Sequence, residues 1–177
     1  MSFIPKSEIR NPKSKAATLY LICGLPGSGK TTLAKQLEST RQALRLSPDE
    51  WIKAIIKDET DKAELDRLRD PVESLQWATA QQLLRLGVSV ILENGFWSKE
   101  ERMAYRKQAK ELGANVELHY LDVPKAELLR RIQKRNAALP DGSFRVTPDE
   151  LETWLSWFAP PNLEELKVYD GYTVYRS

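Results

Sequence analysis

A glycine-rich segment near the start of the chain limits the possible folds more than any other part of the sequence. Residues 24–31 read Gly-Leu-Pro-Gly-Ser-Gly-Lys-Thr, after an apolar run over 18–23 and before a helical pattern over 32–37. Glycines allow backbone angles that other residues avoid, so that consecutive N–H groups can point into one concavity. The segment therefore predicts a strand, an anion-binding turn and a helix, in that order.

The residue types in this turn suit a nucleoside triphosphate. The N-terminus of the following helix adds positive potential at the same place. Lys30 can reach the β- and γ-phosphates, and the hydroxyl of Thr31 can ligate magnesium. We predict that the nucleotide-binding residues are Gly24, Leu25, Pro26, Gly27, Ser28, Gly29, Lys30, Thr31 and Thr32.

Composition places the chain among soluble globular proteins. Its 177 residues fit one domain, and 41% are hydrophobic while 29% are charged. No stretch approaches the roughly 18–20 apolar residues that span a membrane, and residues 1–15 lack the apolar centre of a signal peptide. The single cysteine, Cys23, cannot form an internal disulfide, which favours the cytoplasm. We predict a basic N-terminal arm over 1–17 and one domain over 18–177.

Apolar runs that are typical of buried strands alternate with helical patterns along the chain. The predicted strands are 18–23, 43–47, 88–93, 116–121 and 172–175. The predicted helices are 30–39, 50–86 with a break at Pro71, 98–112, 124–138 and one capped by Thr147. This alternation indicates a parallel sheet with helices on both faces. Ligands of such sheets bind beyond the carboxyl ends of the strands, where Asp49, Glu93 and Asp122 also fall.

Two carboxylates at this edge are candidates for chemistry. Asp49 follows the second strand, and we predict that it accepts the proton of an acceptor hydroxyl; Glu50 is the alternative base. A role for Asp49 in the helix dipole alone is the competing interpretation. Glu93 ends an apolar strand, where it can hold a magnesium-bound water or contact a substrate hydroxyl. We therefore predict Asp49 and Glu93 as substrate contacts, and Thr31 and Glu93 as magnesium ligands.

Two pairs of arginines have helical spacing and so share a helix face. Arg131 and Arg135 lie in a basic helix, and we predict that they belong to a lid over about 124–146 that closes on the triphosphate. Arg102 and Arg106 could bind an acidic part of the acceptor, and we keep Arg102 as a predicted substrate contact. The acids around this second pair also fit an ordinary charged surface.

Other distinctive side chains are expected to be structural. His119 alternates with apolar residues on a strand, which favours a core position. Trp154, Trp157 and Phe158 have the spacing of a packing stripe, with a ligand-stacking platform as the alternative. Cys23 ends an apolar strand and is expected to be a buried thiol.

Six segments together resemble a known group of proteins. They are 24–32, 46–51, 91–97, 121–124, 130–136 and 144–151. On these segments the chain from Thr18 onward resembles the small P-loop kinases grouped with zeta toxins, chloramphenicol phosphotransferase and polynucleotide kinase. It looks most like the AAA-type ATP-binding proteins of that group. The resemblance implies a three-layer αβα sandwich, five parallel strands in the order 2-3-1-4-5 and a helical lid. It also implies ATP with Mg²⁺, a base at Asp49 and lid arginines at Arg131 and Arg135.

Three functions remain open at this point. The first is an ATP-dependent kinase that phosphorylates a hydroxyl of a small-molecule acceptor, with Lys30, Asp49, Arg131 and Arg135 as catalytic residues. The second is a 5′-hydroxyl nucleic-acid kinase that uses the basic leader together with Arg102 and Arg106. A net charge of +2 argues against a bulk nucleic-acid binder. The third is a non-kinase ATP-binding or ATPase regulatory module. No Asn-Lys-x-Asp signal for guanine occurs, and the chain is too short for the accessory domains of a motor or helicase.

Overall fold

The apolar runs pair into one sheet in the computed structural model, which describes residues 16–58, 60–138 and 144–176. Its strands are β1 (Thr18–Cys23), β2 (Leu44–Leu46), β3 (Val90–Gly95), β4 (Asn115–Asp122) and β5 (Gly171–Arg176). All neighbouring strands are parallel, and their order is β2-β3-β1-β4-β5. The predicted sheet and its strand order are confirmed.

Helices cover both faces of this sheet. They are α1 (Lys30–Arg41), α2 (Pro48–Ile55), α3 (Lys62–Arg85), α4 (Lys99–Glu111), α5 (Lys125–Ala138), α6 (Pro148–Trp157) and α7 (Leu163–Leu166). Alternate residues of β1 point to opposite faces, so that Leu19 and Leu21 pack with Ala80 of α3 and Ala109 of α4. Tyr20 and Ile22 of the same strand pack with Leu33 and Leu37 of α1. The result is the three-layer αβα sandwich that the sequence predicts.

A separate apolar cluster attaches α5 and α6 to the glycine-rich loop. Leu25 from the loop packs with Leu128 and Ile132 of α5, and with Val146 and Leu151 around the start of α6. Thr147 caps α6 in a reciprocal capping box with Glu150. These two helices therefore lie directly against the loop that begins the site.

The predicted helix break at Pro71 is wrong, because α3 runs through this residue. Proline removes one backbone hydrogen bond. Pro71 faces solvent, where water can satisfy the released carbonyl, while Leu65 and Val72 on either side are buried against Ile52. The predicted helical segment is instead interrupted between the end of α2 and the start of α3. Asp61 caps α3 by accepting a hydrogen bond from the Glu64 N–H.

Cys23 and His119 are buried as expected. The Cys23 thiol donates to the Phe96 carbonyl at 3.4 Å, and burial raises its pKa to about 12. His119 Nδ1 lies 2.9 Å from the Tyr175 hydroxyl.

Two predicted regions fall outside the described residues. They are positions 1–15 of the basic arm and positions 139–143 of the predicted lid. Within the described ranges, no helix is both long and apolar enough to cross a membrane.

Candidate functional site

The glycine-rich loop joins β1 to α1 at the carboxyl edge of the sheet. Gly27 and Gly29 have φ angles of 82° and 105°, in the left-handed region that favours glycine. A Cβ atom on Gly27 would also lie 2.9 Å from Cγ1 of Ile132. Glycine at position 27 therefore permits both the turn of the loop and the close approach of α5.

A cleft of about 1000 Å³ opens in front of this loop. Predicted site residues that line it are Pro26, Gly27, Gly29, Lys30, Thr31, Thr32, Asp49, Glu93, Arg131 and Arg135. The other predicted loop residues form the back of the turn: the Gly24 N–H donates to the Gly95 carbonyl at 2.9 Å, and Leu25 and Ser28 are buried. The fold thus brings together residues that are up to about a hundred positions apart in sequence.

Lys30 is the first residue of α1, and its side chain turns back to the loop. Its Nζ donates to the Leu25 carbonyl at 3.2 Å. Burial lowers the pKa of this ammonium to about 8, and the charges of Asp49 and Glu93 partly oppose that effect. A polyanion bound in front of the loop would favour the charged form.

Glu93 is held by a residue that the sequence prediction missed. The Arg45 guanidinium on β2 donates to Glu93 Oε1 at 2.7 Å, and to the two Glu50 oxygens at 2.9 and 2.8 Å. Glu93 Oε2 is buried and has no hydrogen-bond partner among the described residues. Arg45 thus fixes one oxygen of Glu93 and leaves the other for a ligand in the cleft. An arginine flanked by two leucines on a short strand was the available sequence signal.

The pair Thr31 and Glu93 fits a magnesium ion that enters with a nucleotide. Both residues line the cleft, and Glu93 Oε2 offers an unused carboxylate oxygen. Magnesium is commonly held by one or two protein oxygens together with substrate phosphates and water.

Asp49 occupies the first turn of α2, directly after Pro48. Its Oδ1 accepts a hydrogen bond from Arg69 of α3 at 2.9 Å, and the carboxylate is about half exposed to the cleft. Arg69 also lies 3.5 Å from Glu73. The carboxylate of Asp49 is therefore oriented by a partner 20 residues away, which sequence spacing alone does not reveal.

The two arginines predicted to belong to a lid contact the loop and the cleft in different ways. Arg131 donates to the Ser28 carbonyl at 3.1 Å and to Glu127 at 2.6 Å. Arg135 donates to the Phe144 carbonyl at 3.2 Å, and its Nε is buried without a partner in the described part of the chain. Burial lowers the pKa of Arg135, while hydrogen bonds from Arg130 and Arg131 lower that of Glu127 to about 2.

The aromatic side chains of α6 do not all pack inside the protein. Phe158 contacts Tyr120, and Trp154 meets Trp97 with ring centroids 5.7 Å apart. Trp157 is 63% exposed, and both Trp154 and Trp157 line the cleft. The predicted packing stripe is therefore wrong for Trp157.

Arg102, predicted as a substrate contact, lies away from the cleft with 0% of its side chain exposed. It donates to both Glu165 oxygens, at 2.6 and 2.8 Å, and to the carbonyls of Phe96 and Ala159. Four of its five N–H donors thus bond to protein atoms, and the buried guanidinium is not open to a ligand in the cleft. Arg102 joins the loop before α4 to the segment after α6. Arg106 donates to the Val168 carbonyl at 2.8 Å.

Replacing Arg102 with alanine should lower the free energy of unfolding by about 3–5 kcal/mol, because Glu165 would stay buried without its partner. Urea unfolding of the purified variant measures this change. Arg106→Ala on the same helix is the matched control and should cost about 1 kcal/mol, the usual value of one hydrogen bond. Equal costs in the two variants would show that the buried pair has no special structural role.

Comparison with known proteins places this chain in a family. A family model described as an AAA domain matches residues 19–161. A solved candidate kinase from Chloroflexus aurantiacus is 22% identical, with a TM-score of 0.69 over 92% of this chain and 89% of its own.

Two further solved structures hold nucleotides. Kti12 from Chaetomium thermophilum, in complex with ADP-AlF3, is 18% identical with a TM-score of 0.64 over 90% of this chain and 88% of its own. The APS kinase of Mycobacterium tuberculosis, in complex with AMPPNP and APS, is 20% identical, with a TM-score of 0.59 over 90% of this chain and 88% of its own. At these identities the likeness concerns the fold. The chain belongs to the AAA domain family and has the fold of the small P-loop kinases.

Proposed function

We propose that this protein is an ATP-dependent phosphotransferase that moves the γ-phosphate of ATP to a hydroxyl of a small-molecule acceptor. The observation that carries the proposal is that Asp49 lines the same cleft as Lys30 and the lid arginines. A module that only binds ATP needs the loop and its lysine. It has no need of a carboxylate beyond the phosphates that is oriented by a second residue, Arg69.

The nucleotide would bind with its phosphates against the loop. Backbone N–H groups of the loop and the N-terminus of α1 would face the phosphate oxygens, and Lys30 would contact the β- and γ-phosphates. Thr31 and Glu93 would hold Mg²⁺, which when bound neutralises part of the phosphate charge. Arg45 keeps Glu93 in position through the bond to Oε1.

Transfer would then need the acceptor hydroxyl at Asp49. The hydroxyl oxygen of the acceptor attacks the γ-phosphorus while the Asp49 carboxylate takes the hydroxyl proton. The bond from the γ-phosphorus to the β,γ-bridging oxygen breaks, and ADP leaves. Lys30, Arg131 and Arg135 stabilise the negative charge on the moving phosphoryl group and on the leaving oxygen.

Transfer of label from γ-labelled ATP to pooled hydroxyl compounds tests this function. We expect a labelled organic product that is absent from a parallel sample without protein. Release of labelled inorganic phosphate alone, from every pool, would instead identify an ATPase.

Arg135→Ala is expected to lower kcat roughly a hundredfold while changing the KM for ATP much less, because its charge matters most during transfer. The same direction is expected for Arg131→Ala. Steady-state kinetics with varied ATP separate the two constants. Arg130→Ala is the matched control: it lies on the same helix, is exposed and pairs with Glu127 outside the cleft. A normal kcat in the Arg131→Ala, Arg135→Ala double variant would remove the lid from the mechanism.

The affinity for ATP should fall as the pH rises above about 8, the pKa of Lys30 in the free protein. Below that pH the ammonium is charged and contributes fully to binding. Above it, each binding event must first protonate the amine, which weakens binding by up to about tenfold per pH unit. Calorimetric titrations with an ATP analogue from pH 7 to 9.5 measure this. Lys30→Arg, which stays charged, should bind with little pH dependence; a flat profile for the unmodified protein would contradict the assignment.

A further inference from the structure

One face of α6 lines the cleft without any task in binding the triphosphate. It presents Asp149, Glu150, Thr153, Trp154 and Trp157, whose spacing is that of a single helix face. Its two acids lie in the first turn of the helix, and its two tryptophans lie in the last turns. The proposed ATP site explains none of these side chains.

A face of α3 forms the opposite wall of this region. It carries Lys62, Leu65, Asp66 and Arg69. Lys62 ties the two walls together, because its Nζ lies 2.9 Å from Glu150 Oε1. At the other end of the face, Arg69 binds Asp49. The space between α3 and α6 therefore adjoins the carboxylate that would take the acceptor's proton, and we define it as the acceptor half of the cleft.

Charged side chains are divided unevenly between this acceptor half and the part of the cleft in front of the glycine-rich loop, which we call the phosphate half. The phosphate half contains Lys30, Lys35, Arg131 and Arg135, with Glu93 as its acid. In the acceptor half, Lys62 pairs with Glu150 and Arg69 pairs with Asp49. The remaining charged groups that line it are Asp66, Asp149 and Arg145. Counted over the described residues and beyond its internal pairs, the acceptor half thus has one more acid than base, which disfavours an anionic acceptor.

The aromatic wall of the acceptor half is held firmly. Trp97 and Trp154 meet at an interplanar angle of 47°, and the Trp97 carbonyl accepts the Ala159 N–H at 2.9 Å. Trp97 Nε1 is buried beside Gly95 and has no hydrogen-bond partner within the described ranges. Trp157 extends this wall to the mouth of the cleft. Indole faces attract cations through their quadrupole, and more so when carboxylates lie nearby.

We propose that the acceptor is a hydroxylated organic amine, such as an amino alcohol or an amino sugar. Its apolar body packs against Trp97, Trp154 and Trp157. Its ammonium group is balanced by Asp66 and Asp149, and its hydroxyl lies at Asp49. This inference rests on the proposed phosphotransferase function and adds the chemical class of its acceptor.

Acceptor pools sorted by charge test the inference. Four samples receive γ-labelled ATP: hydroxylated amines, neutral sugars and polyols, phosphorylated or carboxylated alcohols, and a 5′-hydroxyl oligonucleotide. We expect label mainly in the amine pool. Label mainly in any other sample would overturn the inference and leave the phosphotransferase standing. Labelled inorganic phosphate without any labelled acceptor would overturn the phosphotransferase itself, and the inference with it.

Variants of Asp66 and Asp149, which have no salt-bridge partner in the described part of the chain, give a second test with the labelled amine. The Asp66→Asn, Asp149→Asn double variant should raise the KM for the amine about tenfold, with the KM for ATP unchanged within twofold. Asp70→Asn, an exposed residue of α3 that does not line the cleft, is the control. An unchanged amine KM in the double variant would overturn the role given to these carboxylates.

Tryptophan fluorescence tests the aromatic wall without turnover. Saturating amine should change the emission of the unmodified protein, and Trp157→Phe should reduce that change. Trp51→Phe, on α2 outside the cleft lining, should leave it intact. A response that survives in Trp157→Phe but is lost in Trp51→Phe would locate the amine elsewhere.

Discussion

Lys30→Ala should lower phosphoryl transfer by roughly three orders of magnitude or more, the scale of losing one charge that clamps the transferred group. Binding of an ATP analogue should weaken as well, because the β/γ-phosphate contact is lost. The fold should survive, since the change removes a partly buried ammonium whose pKa is already lowered by its surroundings. Labelled-ATP transfer, calorimetry and urea unfolding measure the three quantities.

Lys35→Ala is the control for this result. Lys35 lies on the same helix and lines the cleft, but its side chain is largely exposed and 4.0 Å from Glu50. Its removal should change transfer only modestly. Undiminished transfer in Lys30→Ala would show that the glycine-rich loop does not bind the reacting phosphates.

Asp49→Asn should lower kcat by roughly two to four orders of magnitude, the usual range for a lost general base. The amide keeps the size of the side chain but cannot accept the hydroxyl proton. The affinity for ATP should stay within a few fold, because in the proposed complex Asp49 would lie beyond the phosphates. Rapid-quench measurements of a single turnover report the chemical step directly.

Glu50→Gln and Glu93→Gln complete this experiment. Glu50 is held by Arg45 and does not line the cleft, so its substitution should affect turnover less than Asp49→Asn. Glu93→Gln should mainly change the dependence on magnesium concentration. Normal turnover in Asp49→Asn, together with its loss in Glu50→Gln or Glu93→Gln, would transfer the role of base to that other residue.

Features with a local cause were predictable from the sequence. The loop over 24–31 carries its own backbone requirements, and the glycine at position 27 has the positive φ that its place demands. The alternation of apolar and helical segments predicted the sheet and its covering helices. The order of the strands came from the resemblance to P-loop kinases, and the structure confirms it.

Partners that meet through the tertiary fold were not predictable. Arg102 and Arg106 share the helical spacing of Arg131 and Arg135, yet Arg102 pairs with Glu165, 63 residues away. Spacing shows which side chains share a helix face, but the packing of the other elements decides what that face meets. For the same reason, the sequence did not reveal that Arg45 binds Glu93 or that Arg69 binds Asp49.

Solvent access was the second unknown. The pattern over 154–158 fits burial equally at each aromatic position, whereas Trp157 remains at the mouth of the cleft. Pro71 is the converse case: its exposed position lets α3 continue, because water can replace the missing backbone partner. A sequence reports the period of a helix more reliably than the side from which solvent reaches it.

The burial of Cys23 gives the protein an internal reporter of its own opening. This thiol is the only one in the chain, and it lies at the end of the central strand with no solvent exposure. With a pKa near 12, very little of it is thiolate at neutral pH, so a thiol reagent reacts only when the strand separates from its neighbours. The rate of labelling therefore measures the population of molecules with an open sheet, without denaturant and without a change to the sequence. A ligand that binds the nucleotide site should slow this labelling in proportion to the increase it causes in the equilibrium constant for the closed sheet.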